Sequence, residues 1–120
     1  MFSSGHQVSE QYTHAADKLT FESLAASFLR LADQRLSSTQ KTVLRMSAHL
    51  LDHHHLTVTG LADLLSRRST VPYSTAKWNL RSLMGLGLLA GGDTQCRDLQ
   101  ASLTPSGRML AAYLEESDVE

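Results

Sequence analysis

Four polar or aromatic side chains recur at helical spacing in the middle of the chain, and together they suit contact with a polyanion. They are Ser74, Lys77, Trp78 and Arg81. At about 100° per residue, these positions fall on or beside one face of a helix. A hydroxyl, two cations and an indole can bond phosphate oxygens or contact base edges from within a major groove. The set carries no carboxylate and therefore predicts a face that binds nucleic acid.

The helix that would carry this face is predicted over residues 72–84. Pro72 suits the first turn, because proline lacks a backbone donor and has a φ that fits a helix. Gly85 and Gly87 follow, and glycine near a helix end permits the left-handed cap conformation. The face opposite the polar one is predicted to pack against a core and consists of Ala76, Leu80 and Leu83.

Three motifs, in order, resemble the winged helix-turn-helix of prokaryotic transcription regulators, including the MarR type. Residues 74–89, Ser-Thr-Ala-x-x-x-Leu-x-x-Leu-x-x-x-Gly-Leu-Leu, resemble the recognition helix and the start of the wing. Residues 59–65 are similar to the first helix of the helix-turn-helix, with Thr59 as a plausible N-cap. The Leu-Thr-Pro-x-Gly segment at 103–107 resembles the passage from the second wing strand into the next helix.

The resemblance implies a mainly α fold with a small β wing (α+β), a winged helix-turn-helix with extra N-terminal helices. It also implies a sequence-specific transcription regulator that binds double-stranded DNA. Helix 72–84 would occupy the major groove, and the wing, residues 88–103, would lie on the adjacent backbone or minor groove. The DNA-binding residues would be Arg67, Arg68, Ser74, Thr75, Lys77, Trp78, Arg81 and Arg97. A different class stays open, in which the same scaffold binds protein within a larger assembly.

The segment between the two helices of the helix-turn-helix departs from the family pattern. Residues 66–73 are about four residues longer than the usual tight turn of this motif. Either the preceding helix is extended by a turn, or the connection is a true loop. Trp78 also leaves two interpretations open. Its indole could lie against a sugar or a thymine methyl, or pack on the loop at 67–71 or on the N-terminal helices.

Along the chain we expect a disordered tail (1–7), an N-terminal helical extension (8–36), a winged helix-turn-helix domain (37–115) and an acidic tail (116–120). The extension is predicted as a short helix behind Ser9 and a stronger one after Thr20. The apolar stripe of the stronger helix includes Phe21, Leu24 and Phe28. We expect a homodimer on a palindromic site, and this stripe would either form much of its interface or cover the core within one chain.

Within the domain, Ser37 and Gln40 are spaced as a capping box, and the helix that they open should end near His53. Residues 56–58 are predicted as a short strand that pairs with the wing, and residues 99–103 as a wing strand. Thr104 is expected to cap the last helix, with proline at the first helical position.

The net charge of −1 is unevenly distributed. Residues 59–108 hold six Lys or Arg and three Asp or Glu, which makes this segment +3, whereas residues 109–120 hold four carboxylates and no Lys or Arg. The positive charge falls on the segment with the candidate DNA contacts, as phosphate neutralisation requires. No apolar run approaches the ~20 residues needed to span a bilayer. We therefore expect a cytoplasmic, nucleoid-associated protein with no membrane partner.

No pattern indicates an enzyme. The sequence contains no phosphate-binding loop and no strand-to-helix nucleophile motif, so we expect no catalytic residue and no cofactor. The three consecutive histidines at 53–55 would point in three directions on a helix and cannot all chelate one ion. A helix C-terminus favours cationic imidazole, so they are interpreted as capping residues and no metal site is expected. No effector pocket is indicated.

Overall fold

The structure is a computed structural model that describes the backbone of residues 2–92 and 99–118. The chain forms two compact units, Met1–Ala32 and Asp33–Glu120. Within residues 2–92 and 99–118, no helix combines the length and apolar character needed to cross a membrane.

The first unit is formed by one long helix, α1, which spans Phe2–Arg35 and so extends into the start of the second unit. The sequence predicts two separate helices here, one behind Ser9 and one after Thr20, and the structure instead has one continuous helix. The physical reason is that the segment contains no proline and a single glycine, Gly5, so nothing in it interrupts the backbone hydrogen bonds of a helix. Thr20, the predicted start of a second helix, lies in the interior of α1.

The second unit contains the remaining elements. They are α2 (Ser38–His53), α3 (Val58–Arg68), α4 (Tyr73–Gly85), β1 (Leu89–Ala90), β2 (Ser102–Leu103) and α5 (Pro105–Asp118). Helices α2, α3 and α4 pack on one another, and α5 packs on α2. The mainly α fold with a small β wing is confirmed.

The centre of the core of this unit contains side chains with no exposed surface, contributed by all four helices. The largest are Val43, Leu44, Leu61, Leu65, Leu80, Leu83 and Leu110. Each fully buried leucine contributes on the order of 1.5–3 kcal/mol relative to an exposed one. The predicted inward stripe of α4 is confirmed, because Ala76, Leu80 and Leu83 are all fully buried.

The predicted capping box of α2 is present. Ser37 Oγ accepts from the Gln40 amide at 3.1 Å, and Gln40 Oε1 accepts from the Ser37 amide at 2.9 Å. The helix ends at His53, as predicted, and the amide of His54 donates to the Leu50 carbonyl at 2.9 Å.

Helix α3 begins two residues earlier than the Thr59 cap would require. Thr57 is the N-cap, because its extended backbone (φ −75°, ψ 171°) brings Oγ1 to 3.1 Å from the Gly60 amide. At its other end α3 continues to Arg68, so the extra length before α4 is an added helical turn rather than a long loop. In the short connection that remains, Ser69 Oγ donates to the Leu65 carbonyl and accepts from the Val71 amide.

The wing is smaller than its predicted strands. β1 and β2 pair antiparallel, with Leu89 opposite Leu103 and Ala90 opposite Ser102. The strand expected over 56–58 is reduced to a single bridge between Thr57 and Gln100, because residue 58 already belongs to α3. The wing tip at 93–98, and Arg97 with it, lies outside the described residues.

Two glycines are required where the chain leaves α4 and where α5 packs against the start of the wing. Gly87 has a φ of +78°, in the left-handed region that favours glycine. A Cβ at Gly107 would collide with the carbonyl of Leu88, so only glycine allows α5 to approach the residue before β1 this closely. Thr104 joins the same elements, since its Oγ1 donates to the Gly87 carbonyl at 2.6 Å and accepts from the Gly107 amide at 3.0 Å.

Candidate nucleic-acid interface

Helix α4 has a buried side and an outward face, and the outward face carries the candidate DNA contacts. Ser74, Trp78 and Arg81 are exposed, while Lys77 beside them is half-buried. Trp78 is 72% exposed, so its indole does not pack on the neighbouring loop. We call these four residues the outward face of α4.

The start of α4 is shaped by Pro72, which is the N-cap rather than the first helical residue. Its side chain makes no capping hydrogen bond. The first backbone N–H groups of a helix have no partner within that helix and carry partial positive charge. Ser74 and Thr75 lie in this first turn. Helix N-termini are common sites of anion binding in proteins.

One side-chain bond from α2 and two backbone bonds after its last turn hold α4 in place. Gln40 Nε2, at the start of α2, donates to Ser82 Oγ of α4 at 2.9 Å. After α4, the Leu88 amide donates to the Leu83 carbonyl at 3.0 Å and the Gly87 amide to the Met84 carbonyl at 3.0 Å. These bonds hold both the flank and the C-terminal end of the helix that carries the outward face.

Asn79 is a buried polar residue of α4 that the sequence pattern alone did not single out. It is 7% exposed, and its Nδ2 donates to the Thr75 carbonyl one turn earlier at 2.7 Å. Its spacing of three from Ala76 and four from Leu83 places it on the buried stripe, which is the signal that could have identified it.

Two further cations lie at the end of α3, immediately before α4. Arg67 and Arg68 are both exposed, and Arg67 Nε pairs with Asp63 Oδ2 at 3.1 Å. An exposed pair of this kind contributes only about 0–1 kcal/mol, so a phosphate could replace the carboxylate at little cost. Asp63 is the one carboxylate of residues 58–85, against Arg67, Arg68, Lys77 and Arg81.

Lys77 also has an aromatic neighbour one turn before it. Its Nζ lies 5.9 Å from the centroid of the Tyr73 ring, within the range of a cation–π contact. The contact lies along the surface of α4 and keeps the Lys77 ammonium near the other side chains of the outward face.

The apolar side chains proposed for dimerisation lie on α1. Phe21 is 66% exposed, Leu24 is 64% exposed and Phe28 is 36% exposed. Spacings of three and four residues place them on one face of the helix.

A separate polar cluster joins α2 to α5. His49 Nε2 lies 2.7 Å from Glu115 Oε1, and Arg45 Nη2 lies 3.3 Å from Glu115 Oε2. Hydrogen bonds from His49 and Arg45 lower the pKa of the Glu115 carboxyl below its ordinary value. Among the described residues, no three His, Cys, Asp or Glu side chains are grouped so as to hold a metal ion.

A cleft of about 170 Å³ lies between the end of α2, β2 and α5. Its lining includes Leu51, His54, Ala101 and Arg108, and none of its residues comes from α3 or α4. The cleft is therefore separate from the outward face.

No protein-family model and no curated protein matches the sequence. Among solved structures, the chain is similar to the adhesin competence repressor of Streptococcus pyogenes, with a TM-score of 0.50 and 22% identity over 84% of this chain and 72% of that one. It is also similar to RV1404 of Mycobacterium tuberculosis, with a TM-score of 0.50 and 21% identity over 94% and 75% of the two chains. Staphylococcus aureus MarR, solved with salicylate and kanamycin, gives a TM-score of 0.52 and 19% identity over 94% and 73%. These similarities confirm a MarR-like winged helix-turn-helix fold.

Proposed function

We propose that the protein is a homodimeric, sequence-specific transcription regulator that binds duplex DNA through α4. The observation that carries the proposal is the composition of the outward face. Two cations, a hydroxyl and an indole lie on one side of a helix whose other side is anchored in the core, and the sequence of α4 contains no carboxylate. A major groove admits an α-helix and presents the acceptors that such groups bind.

The proposed contacts follow from the positions of the side chains along α4. Ser74, Thr75 and the first-turn amides would bind a phosphate at the helix start. Lys77 and Arg81 would reach base edges or flanking phosphates, and Arg67 and Arg68 would bind the backbone beside the groove. The wing, residues 88–103, would lie on the adjacent backbone or minor groove and bring Arg97 to it.

A dimer would compensate for the modest charge of one protomer. The segment from 59 to 108 is only +3, so one copy neutralises few phosphates. Two copies related by a two-fold axis would bind a palindromic site and double the contacts. We place the interface on the α1 stripe of Phe21, Leu24 and Phe28, because large apolar side chains with this exposure are stabilised when a second copy buries them.

The regulatory role is supported by the similarity of the chain to a repressor, the adhesin competence repressor of Streptococcus pyogenes. The rival hypothesis is a winged-helix module that binds protein, for which the exposed aromatic rings of Tyr73 and Trp78 would also be suitable. Binding to protein would not release the counterions of a polyanion, so salt dependence separates the two hypotheses.

The test is the anisotropy of labelled random-sequence duplex titrated with the protein at 50 and 200 mM salt. A DNA-binding dimer should lose on the order of a thousandfold in affinity between the two conditions. The absence of detectable binding at 50 mM salt would overturn the proposal.

The dimer interface is tested by sedimentation of Leu24→Glu, which places a charge in the stripe. We expect a monomer, because burying an unpaired carboxylate at the interface is strongly unfavourable. Ala26→Glu is the matched control, since it adds the same charge to an exposed position of α1 outside the stripe and should stay dimeric. A Leu24→Glu dimer of wild-type stability would place the interface elsewhere.

A further inference from the structure

We infer that Trp78 recognises thymine by contact between its indole and the C5-methyl group, so that the preferred half-site carries thymine opposite the middle of α4. The inference rests on the proposed function and adds to it the base that the helix selects.

The position of the indole is the first support. Trp78 lies near the middle of α4, with Ser74 one turn before it and Arg81 about one turn after it, and all three are exposed. At 72% exposure, Trp78 is the most exposed of the large hydrophobic side chains in the described residues. A helix seated in the major groove by its two ends would bring this ring against the base edges.

The remaining side chains of α4 provide the second support. Asparagine is the usual partner of adenine, but Asn79 is buried and its amide nitrogen is bonded to the Thr75 carbonyl. Lys77 and Arg81 suit the acceptors of guanine, and α4 has no carboxylate to accept from cytosine. With Asn79 withdrawn from the surface, an A·T pair opposite the middle of α4 is best recognised through its thymine, whose apolar feature in the major groove is the methyl group.

The indole matches this feature in chemistry as well as position. A methyl group offers no hydrogen bond, so it is recognised by an apolar surface that leaves water when the two meet. Trp78 is the largest apolar surface on the outward face. Contact with a sugar would leave the affinity for thymine and uracil equal, because these bases differ only by the methyl group.

The test uses duplexes enriched from a random library by repeated rounds of binding to the wild-type protein. The enriched pool is then amplified with either dTTP or dUTP, and both forms are titrated at 50 mM salt. We expect the thymine form to bind about fourfold more tightly for each methyl contacted, or about fifteenfold for the two half-sites of a dimer. Trp78 is the only tryptophan of the chain, so its fluorescence should also differ between the two complexes.

Three variants test whether the indole of Trp78 is responsible for the preference for thymine over uracil. Trp78→Ala should bind both forms with equal affinity and melt at the wild-type temperature, whereas Arg81→Ala should bind both forms more weakly but keep the preference for thymine. Trp78→Phe retains an apolar ring and should keep part of the preference.

The outcomes separate this inference from the proposed function. A protein that binds neither form at 50 mM salt contradicts the proposed function itself. A wild-type protein that binds both forms equally, or a Trp78→Ala variant that keeps the full preference, overturns the inference while leaving DNA binding intact.

Discussion

Gln40 and Ser82 are joined across 42 residues of sequence by a hydrogen bond of 2.9 Å from Nε2 to Oγ. The other end of the same amide, Oε1, accepts from the Ser37 backbone and completes the capping box of α2. The Gln40 side chain therefore caps the N-terminus of α2 and is also hydrogen-bonded to α4. The orientation of the candidate DNA-binding helix depends on a residue outside it.

We predict that Gln40→Ala destabilises the fold more than Ser82→Ala. Ser82→Ala removes one hydrogen bond and should cost about 1 kcal/mol, whereas Gln40→Ala removes that bond and half of the capping box and should cost about 2 kcal/mol. Urea unfolding of both single variants and the double variant measures the coupling, which should be about 0.5–1.5 kcal/mol. Strictly additive effects would show that the bond contributes nothing.

Arg81→Ala is predicted to weaken duplex binding without affecting the fold. Arg81 is exposed on the outward face, so its loss should leave the stability within ~0.5 kcal/mol of wild type. Arg35→Ala is the matched control, because Arg35 is exposed in the same compact unit but outside the candidate site. Anisotropy and thermal melting are measured on both variants. If Arg81→Ala and Arg35→Ala bound the duplex with equal affinity, Arg81 would not be part of the DNA-binding site.

Gly107→Ala is predicted to destabilise the protein by more than about 2 kcal/mol, because its Cβ would meet the Leu88 carbonyl and push α5 from the wing. Gly85→Ala serves as the control, since nothing lies within 4 Å of a Cβ built there. In a helical position that substitution should be neutral or stabilising by up to about 1 kcal/mol. Chemical denaturation that ranks the two in the opposite order would contradict the close approach.

The contact of Glu115 with His49 and Arg45 predicts a pH-dependent contribution to stability. Hydrogen bonds from both residues lower the pKa of the Glu115 carboxyl in the folded state below the ordinary value of 4.5. Between these two pKa values the unfolded chain binds more protons, so the contribution is present above pH 4.5 and is lost as the pH falls through the folded pKa. The difference in melting temperature between wild type and Glu115→Gln should therefore shrink below pH 4.5. If the difference in melting temperature instead grew below pH 4.5, the assigned direction of the Glu115 pKa shift would be wrong.

The features predicted correctly from the sequence are those set by neighbouring residues. The capping box at Ser37 and Gln40 and the buried stripe of α4 need only a spacing of three or four residues. The errors at the start of α3 and in the wing arose where distant segments decide the outcome, whereas the split predicted within α1 overlooked a local feature, the lack of any proline. Thr57 and Thr59 are both acceptable caps by type, and the bridge between Thr57 and Gln100 is a long-range contact that the local pattern does not contain.

In the candidate site, too, local features were predictable from the sequence and features that depend on distant segments were not. Periodicity placed Trp78 and Arg81 on one face of α4, but it left open whether the indole was packed or exposed, since that depends on the surrounding fold. The bond from Gln40 to Ser82 also has no local signal. Asn79, by contrast, lies on the buried stripe and could have been found by spacing.

The central claim is that cations on α4 bind the phosphate-lined major groove of duplex DNA. Its most direct test is the slope of log Kd against log salt concentration for the wild-type protein and for the double variant Lys77→Ala, Arg81→Ala. Removing one cation from a phosphate lowers the slope by about one, so a dimer should show a slope smaller by about two to four. A variant with the wild-type slope and affinity would contradict the claim.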